Sequence, residues 1–217
     1  MAEWLKAHAW KACMRVTVSR VRIPLSPPYS FTARMDRNMN RTLFFAIGFI
    51  LVFLLYIIFV LVPVGSCFAV DVGPNSLGLS FSYTKEMVQN FFESRNREQL
   101  LCYSQFLQIW DAIFVFVYTL MYASWILYFF KNKRLFLIIP ILVMIADWAE
   151  NYVELLMLET YLNSSSISET LVLLGSGINS FKWVLSSLTY LIILFGIIIT
   201  LKIFLTKFKR SVKCNFK

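Results

Sequence analysis

Apolar residues run without a charge from Thr42 to Val62, a stretch long enough at ~1.5 Å per residue to cross a hydrocarbon core of ~30 Å. A second run, Leu107 to Phe130, carries one charge, Asp111, and ends in the tight basic turn Lys131, Asn132, Lys133, Arg134. Leu135 to about Leu158 is the third, with Pro140 expected to kink it, and Trp183 to about Leu205 is the fourth, with Lys202 near its end. This pattern predicts an all-α polytopic membrane protein with four transmembrane helices.

Between spans one and two lies the segment from Gly65 to Phe106, where the apolar pattern changes period. Gly73, Pro74, Asn75 and Gly78 mark turns, and Thr84 is placed to cap a helix starting at Lys85 with Met87, Phe91 and Phe92 on one side. The expectation is a short extracytoplasmic amphipathic helix, followed by a helical stretch from Arg97 that runs unbroken into span two. Cys67 and Cys102 share this segment. In an oxidising compartment they can form a disulfide, and otherwise they are two free thiols. Val64, Gly65, Ser66 and Cys67 form a loose lipobox-like string, but the apolar run ahead of it is long for a cleaved signal.

Composition agrees with lipid as the solvent: 59% of residues are hydrophobic and 15% charged, and 21 are Phe. The net charge of +9 does not imply nucleic acid, because the basic residues sit at the ends of apolar runs instead of forming a basic domain. Arg37 and Arg41 precede span one, the basic turn joins spans two and three, and Lys207, Lys209, Arg210, Lys213 and Lys217 follow span four. By the positive-inside rule both termini face the cytoplasm, and the segments 65–106 and 159–181 face out.

Residues 1–28 follow no structural period. Trp4, His8, Trp10, Cys13, Pro24, Pro27 and Pro28 fit neither a helix, a strand nor a signal peptide. Back-translation of Lys6 to Cys13 yields an anticodon stem and loop, Arg20 to Ile23 yield a T-arm, and Pro28 as CCA supplies an acceptor end, so the segment resembles a translated bacterial serine tRNA gene. On that reading residues 1–34 are a spurious extension, the true start is Met35 or Met39, and residues 35–217 form a single four-span domain in a bacterial inner membrane. Six basic residues and one acidic residue leave with the extension, so the charge falls from +9 to +4. The only histidine, His8, leaves as well, which excludes histidine-based metal sites and triads from the remainder.

The chemistry is concentrated in span three. Asp147, Glu150, Asn151 and Glu154 are spaced i, i+3, i+4 and i+7, which puts them on one helix face. At comparable depth span two offers Asp111, Tyr118 and Tyr122, with Trp125 continuing the stripe. Span four offers Ser186, Ser187 and Tyr190, and Lys182 is expected at the rim. Exposing a carboxylate to lipid costs ~2.5–3.5 kcal/mol or more at a helix centre, so these groups should converge in a polar pocket. Two readings stay open, a cation- or proton-binding site and a hydrogen-bonded seam between helices.

Tyr83 and Thr84 before a helix, the arginine-containing run ahead of Tyr103, Asp111 followed by Tyr118, then Pro140 and the Asp147, Glu150, Asn151 pattern together resemble a group of small uncharacterised bacterial four-span membrane proteins. The resemblance covers roughly residues 80–160 and implies the fold, with no activity attached. The sequence therefore favours a structural or accessory membrane protein whose partner is the lipid bilayer, with no nucleic acid and no predicted cofactor. A cation- or proton-binding protein is the first alternative, and an intramembrane enzyme acting on lipid, using the carboxyls as acid and base, is the second.

Overall fold

A computed structural model describes residues 29–70, 76–131 and 133–215, with side chains described for 41–70, 76–131 and 133–206. The segment 1–28, the turn residues Gly73, Pro74 and Asn75, and the side chains of Met35, Met39 and the basic tail beyond Thr206 lie outside the described residues. The chain is all-α among those residues, and four helices are long and apolar enough to cross a membrane: Arg41–Phe68, Arg97–Phe129, Arg134–Ser164 and Glu169–Thr206. It is a multi-pass membrane protein. Its compact units are Met39–Gly196 and a second formed by Met1–Asn38 with Ile197–Lys217, helical where described.

Spans two and three bury the larger shares of their apolar windows and spans one and four the smaller, so the middle pair is the core of the Met39–Gly196 unit. One hydrophobic cluster, around Val115, Tyr118, Tyr122 and Val143, lies between spans two and three. A larger one, with Phe68, Phe91, Phe92, Tyr103 and Phe106, gathers under the segment that joins spans one and two. Phe68 meets the Tyr103 and Phe106 rings edge-on, each at 5.0 Å, the geometry favoured by aromatic quadrupoles.

The joining segment is built as its sequence suggests, with one exchange. Thr84 accepts a hydrogen bond from the Met87 amide at 3.4 Å and opens the helix Lys85–Glu93. The buried side is Val88, Phe91 and Phe92, whereas Met87 is exposed; the face turns on Val88, one position later than expected. Asn96 and Gln99 form a reciprocal capping box at 2.8 and 2.9 Å, which starts the helix that continues into span two. Cys67 and Cys102 form a disulfide with Cα atoms 6.4 Å apart, tying the end of span one to the start of span two. Arg95 is buried beside it. Its guanidinium lies 3.6 Å over the Phe91 ring and donates to the Phe68 and Phe91 carbonyls. Burial pushes the Arg95 pKa down from its ordinary value.

The structure refines two expectations about the spans. Pro140 stands in the first turn of the α-helix that begins at Ile138, just after a 3-10 turn at Arg134–Leu137, where its missing N–H leaves no α-helical bond unmade. The helix that carries span four begins at Glu169, ahead of Trp183, and the helix that carries span three continues to Ser164, so within the expected loop from Glu159 to Phe181 only residues 165–168 are outside helix. Ser165 closes span three in the left-handed region, at φ 51°, and its amide bonds the Tyr161 carbonyl at 2.8 Å.

Candidate functional site

The acidic face of span three points inward. Asp147, Glu150, Asn151 and Glu154 are all buried, and each meets a partner from another span. Tyr118 donates its hydroxyl to Asp147 Oδ2 at 2.6 Å, and Asn151 Nδ2 donates to Asp111 Oδ2 at 2.7 Å. Tyr122 donates to the Tyr190 hydroxyl at 2.6 Å. The hydroxyl of Tyr103 donates to Glu154 Oε2. Ser186 stands in the wall of the adjoining cavity. Asp111, Tyr118, Tyr122, Asp147, Asn151, Glu154, Ser186 and Tyr190 line that cavity and Glu150 adjoins it through Lys182, whereas Ser187 is exposed and Tyr190 is half exposed on its other side.

Lys182 is the residue that sequence reasoning misplaced. It is buried, not at a rim, and its ammonium pairs with Asp147 Oδ1 at 3.2 Å and with Glu150 Oε2, while also reaching the Gly78 carbonyl at 3.4 Å. The cause lies in residues 175–180, a run of Gly, Ser and Asn that reads as loop. It is instead helix, because these small polar residues satisfy the backbone of the chain crossing above them. Ser176 Oγ accepts from the Tyr83 amide at 3.0 Å, Asn179 Nδ2 donates to the Ser80 carbonyl at 2.7 Å, and Ser180 Oγ donates to the Phe81 carbonyl at 3.0 Å. Trp183 Nε1 adds a bond to the Gly78 carbonyl at 3.2 Å. The backbone at Gly78 runs close to the ion pair: a Cβ there would stand 3.3 Å from Glu150 Oε1, which would have to give by a few tenths of an ångström, and 3.4 Å from Lys182 Nζ.

Residues 76–83 therefore roof the site. The Tyr83 ring is buried in this roof with its hydroxyl against Gly175, where a Cβ would collide with it. Burial, and after it the charges of Glu154 and Glu150, push the Tyr83 pKa up, so the phenol keeps its proton. Tyr103, Tyr83 and Asn179 were not expected in the site. The tyrosines could have been suspected only from their spacing to the helix caps at Asn96 and Thr84.

Beside the network a cavity of about 560 Å³ opens among the four spans and the roof. Its apolar wall includes Phe53, Leu61, Val62, Leu79, Phe106 and Phe114, and its polar wall includes Asp111, Asp147, Asn151, Tyr118, Lys182 and Ser186. Two π-helical turns, Ile57–Leu61 and Phe106–Asp111, contribute Leu61, Phe106, Leu107 and Asp111 to this lining. Such turns are rare and concentrate at functional sites. Pro63, which lacks an amide and crowds the carbonyl four residues earlier, accounts for the first. Side chains from neighbouring spans secure the second: the Tyr56 hydroxyl donates to the Trp110 carbonyl at 2.8 Å, and Trp148 Nε1 donates to the Ala112 carbonyl at 3.2 Å. The widened turn carries Asp111 at its end, on the cavity wall.

Chemically, the wall holds hydrogen-bond acceptors, tyrosine hydroxyls and one ammonium. Among the described residues no group of three or more His, Cys, Asp or Glu side chains is arranged to hold a metal ion. The place between Asp147 and Glu150 that a cation would take is filled by the chain's own Lys182. No family model matches this sequence, and neither curated proteins nor solved structures show a significant match to it.

Proposed function

We propose that this chain is a membrane-embedded binding protein that receives an amphipathic molecule from the lipid phase. The observation that carries this reading is the two-sided cavity, apolar along spans one and two and polar along the acidic network, at a volume within the ~300–1,000 Å³ typical of small-ligand sites. A polar wall inside hydrocarbon is costly to maintain without a function or a partner. Native mass spectrometry of the full chain from membranes tests it. The wild type should carry a lipid-soluble molecule that is lost when Ser186→Trp fills the cavity; indistinguishable spectra for the two proteins would remove the proposal.

A structural or accessory role is supported by a different observation, the internal pairing of Glu154 with Tyr103 and of Glu150 with Lys182, which needs no ligand. The two readings divide the network between them. A role in binding an inorganic cation has less support, since Lys182 neutralises that position from within. For orientation, Arg41, Lys131, Lys133 and Arg134 favour cytoplasmic termini in a bacterial inner membrane. Reporter fusions after Lys217 and within residues 165–168 should give opposite signals, and equal signals would contradict it.

A further inference from the structure

We propose that the molecule taken into the cavity is a lipophilic amine, with its protonated nitrogen on Asp111 and its hydrocarbon body along Phe53, Leu61 and Phe114. The inference rests on the binding reading above and names its ligand class.

Four carboxyls, Asp111, Asp147, Glu150 and Glu154, stand in this part of the bundle with a single ammonium, Lys182. The ammonium is spent on Asp147 and Glu150, and Glu154 is held by Tyr103. Asp111 has one hydrogen bond, from Asn151 to Oδ2, and no ion pair among the described residues. It is part-buried and lines the cavity. An anionic headgroup would have to compete for Lys182, which already serves two carboxylates, whereas an ammonium placed on Asp111 would give that carboxylate the counter-charge it lacks among the described residues.

The rings around Asp111 favour the same class. Phe114 stacks with Phe53 at 5.4 Å and with Tyr56 at 6.0 Å, and meets Tyr118 edge-on at 5.5 Å. Of these rings Tyr118 lies in the polar wall of the cavity and Phe53 and Phe114 in the apolar one. Aromatic faces attract cations in desolvated surroundings, and apolar rings take hydrocarbon. A hydrated metal ion has no use for such a surface, whereas a substituted ammonium uses all of it. The π-helical turn that ends at Asp111 and the hydrogen bond from Asn151 fix the carboxylate in place, so the receiving group is organised before the ligand arrives.

The test compares two compounds of one shape, 4-phenyl-1-propylpiperidine, protonated at neutral pH, and 1-phenyl-4-propylcyclohexane, which cannot be. Both are added at equal mole fraction to the full chain in phosphatidylcholine nanodiscs, and binding is read from tryptophan emission, Trp183 standing in the cavity wall. The amine should bind about tenfold or more tightly than the hydrocarbon, as a charge-assisted contact implies. Asp111→Asn should reduce the amine to the hydrocarbon's affinity and leave the hydrocarbon unchanged. Equal binding of the two compounds by the wild type overturns the amine assignment while leaving the cavity a binding site. An amine preference that survives Asp111→Asn overturns the role of Asp111. No response to either compound overturns both the assignment and the binding reading. The wild-type comparison decides the ligand class even if the variant does not fold.

Discussion

Glu154 and Asp111 belong to one acidic band at similar depth in the bundle, yet they are held in opposite ways. Glu154 lies under the roof of residues 76–83 at the edge of the same cavity, 1% exposed, with the Tyr103 hydroxyl on its carboxylate. Asp111 sits on a cavity wall with one amide partner. Their difference shows that polar residues in a membrane bundle are not a single class. Those that chain partners bury completely hold helices together, and those left partly exposed beside a cavity are available to something else.

The comparison can be broken most forcefully at Lys182. Lys182→Met should leave Asp147 and Glu150 without their counter-charge in a buried setting, and removal of one partner from such a pair costs about 3–5 kcal/mol. Unfolding of the purified protein in detergent, followed by circular dichroism against temperature or denaturant, should show a large loss. A wild-type midpoint would mean that the sealed half is not what holds the bundle.

A smaller effect is expected from the roof. Gly175→Ala sets a methyl group against the Tyr83 hydroxyl and 3.1 Å from Val153 Cγ1, and the shift required should cost ~1–3 kcal/mol in the same assay. Ligand affinity should change less than stability, since neither Gly175 nor Tyr83 lines the cavity.

The smallest effect belongs to the cap helix, outside both halves. Thr84→Ala removes the acceptor for the Met87 amide and should cost ~0.5–2 kcal/mol without changing binding. The Thr84 hydroxyl and the helix-end amide also hold the Glu86 carboxyl below its usual range. A carboxyl with a lowered folded-state pKa stabilises the fold above its ordinary pKa, and that contribution disappears as pH falls through the lowered value. The wild type should therefore show a small acid-dependent loss that Thr84→Ala reduces, measurable as the pH dependence of the unfolding midpoint.

The four spans were legible because long apolar runs admit no other structure in lipid. The acidic face was legible because i, i+3, i+4 and i+7 spacing has a fixed meaning on a helix. Lys182 was not, since the Gly, Ser and Asn residues at 175–180 read as loop, whereas they are helix and bond the backbone of the segment 76–83 that lies across them. Tyr83 and Tyr103 were hidden for the same reason: a tertiary contact, not a local pattern, aims them at the carboxyls. The π-helical turns leave no periodic trace, and Pro63 alone hints at the first. Met87 and Val88 differ by one position on a short helix, where both satisfy the amphipathic pattern and packing decides.

The central claim, that one acidic band contains a sealed structural half and an open binding half, is tested most directly by one paired measurement on Tyr103→Phe and Asp111→Asn. For each variant the unfolding midpoint and the affinity for 4-phenyl-1-propylpiperidine are determined in the same phosphatidylcholine nanodiscs. Tyr103→Phe should lose ~1–3 kcal/mol of stability, because Glu154 is left without its donor, and keep wild-type affinity. Asp111→Asn should keep its stability and lose the affinity. Loss of stability in both variants with affinity unchanged in both would contradict the division and leave the whole band a structural seam.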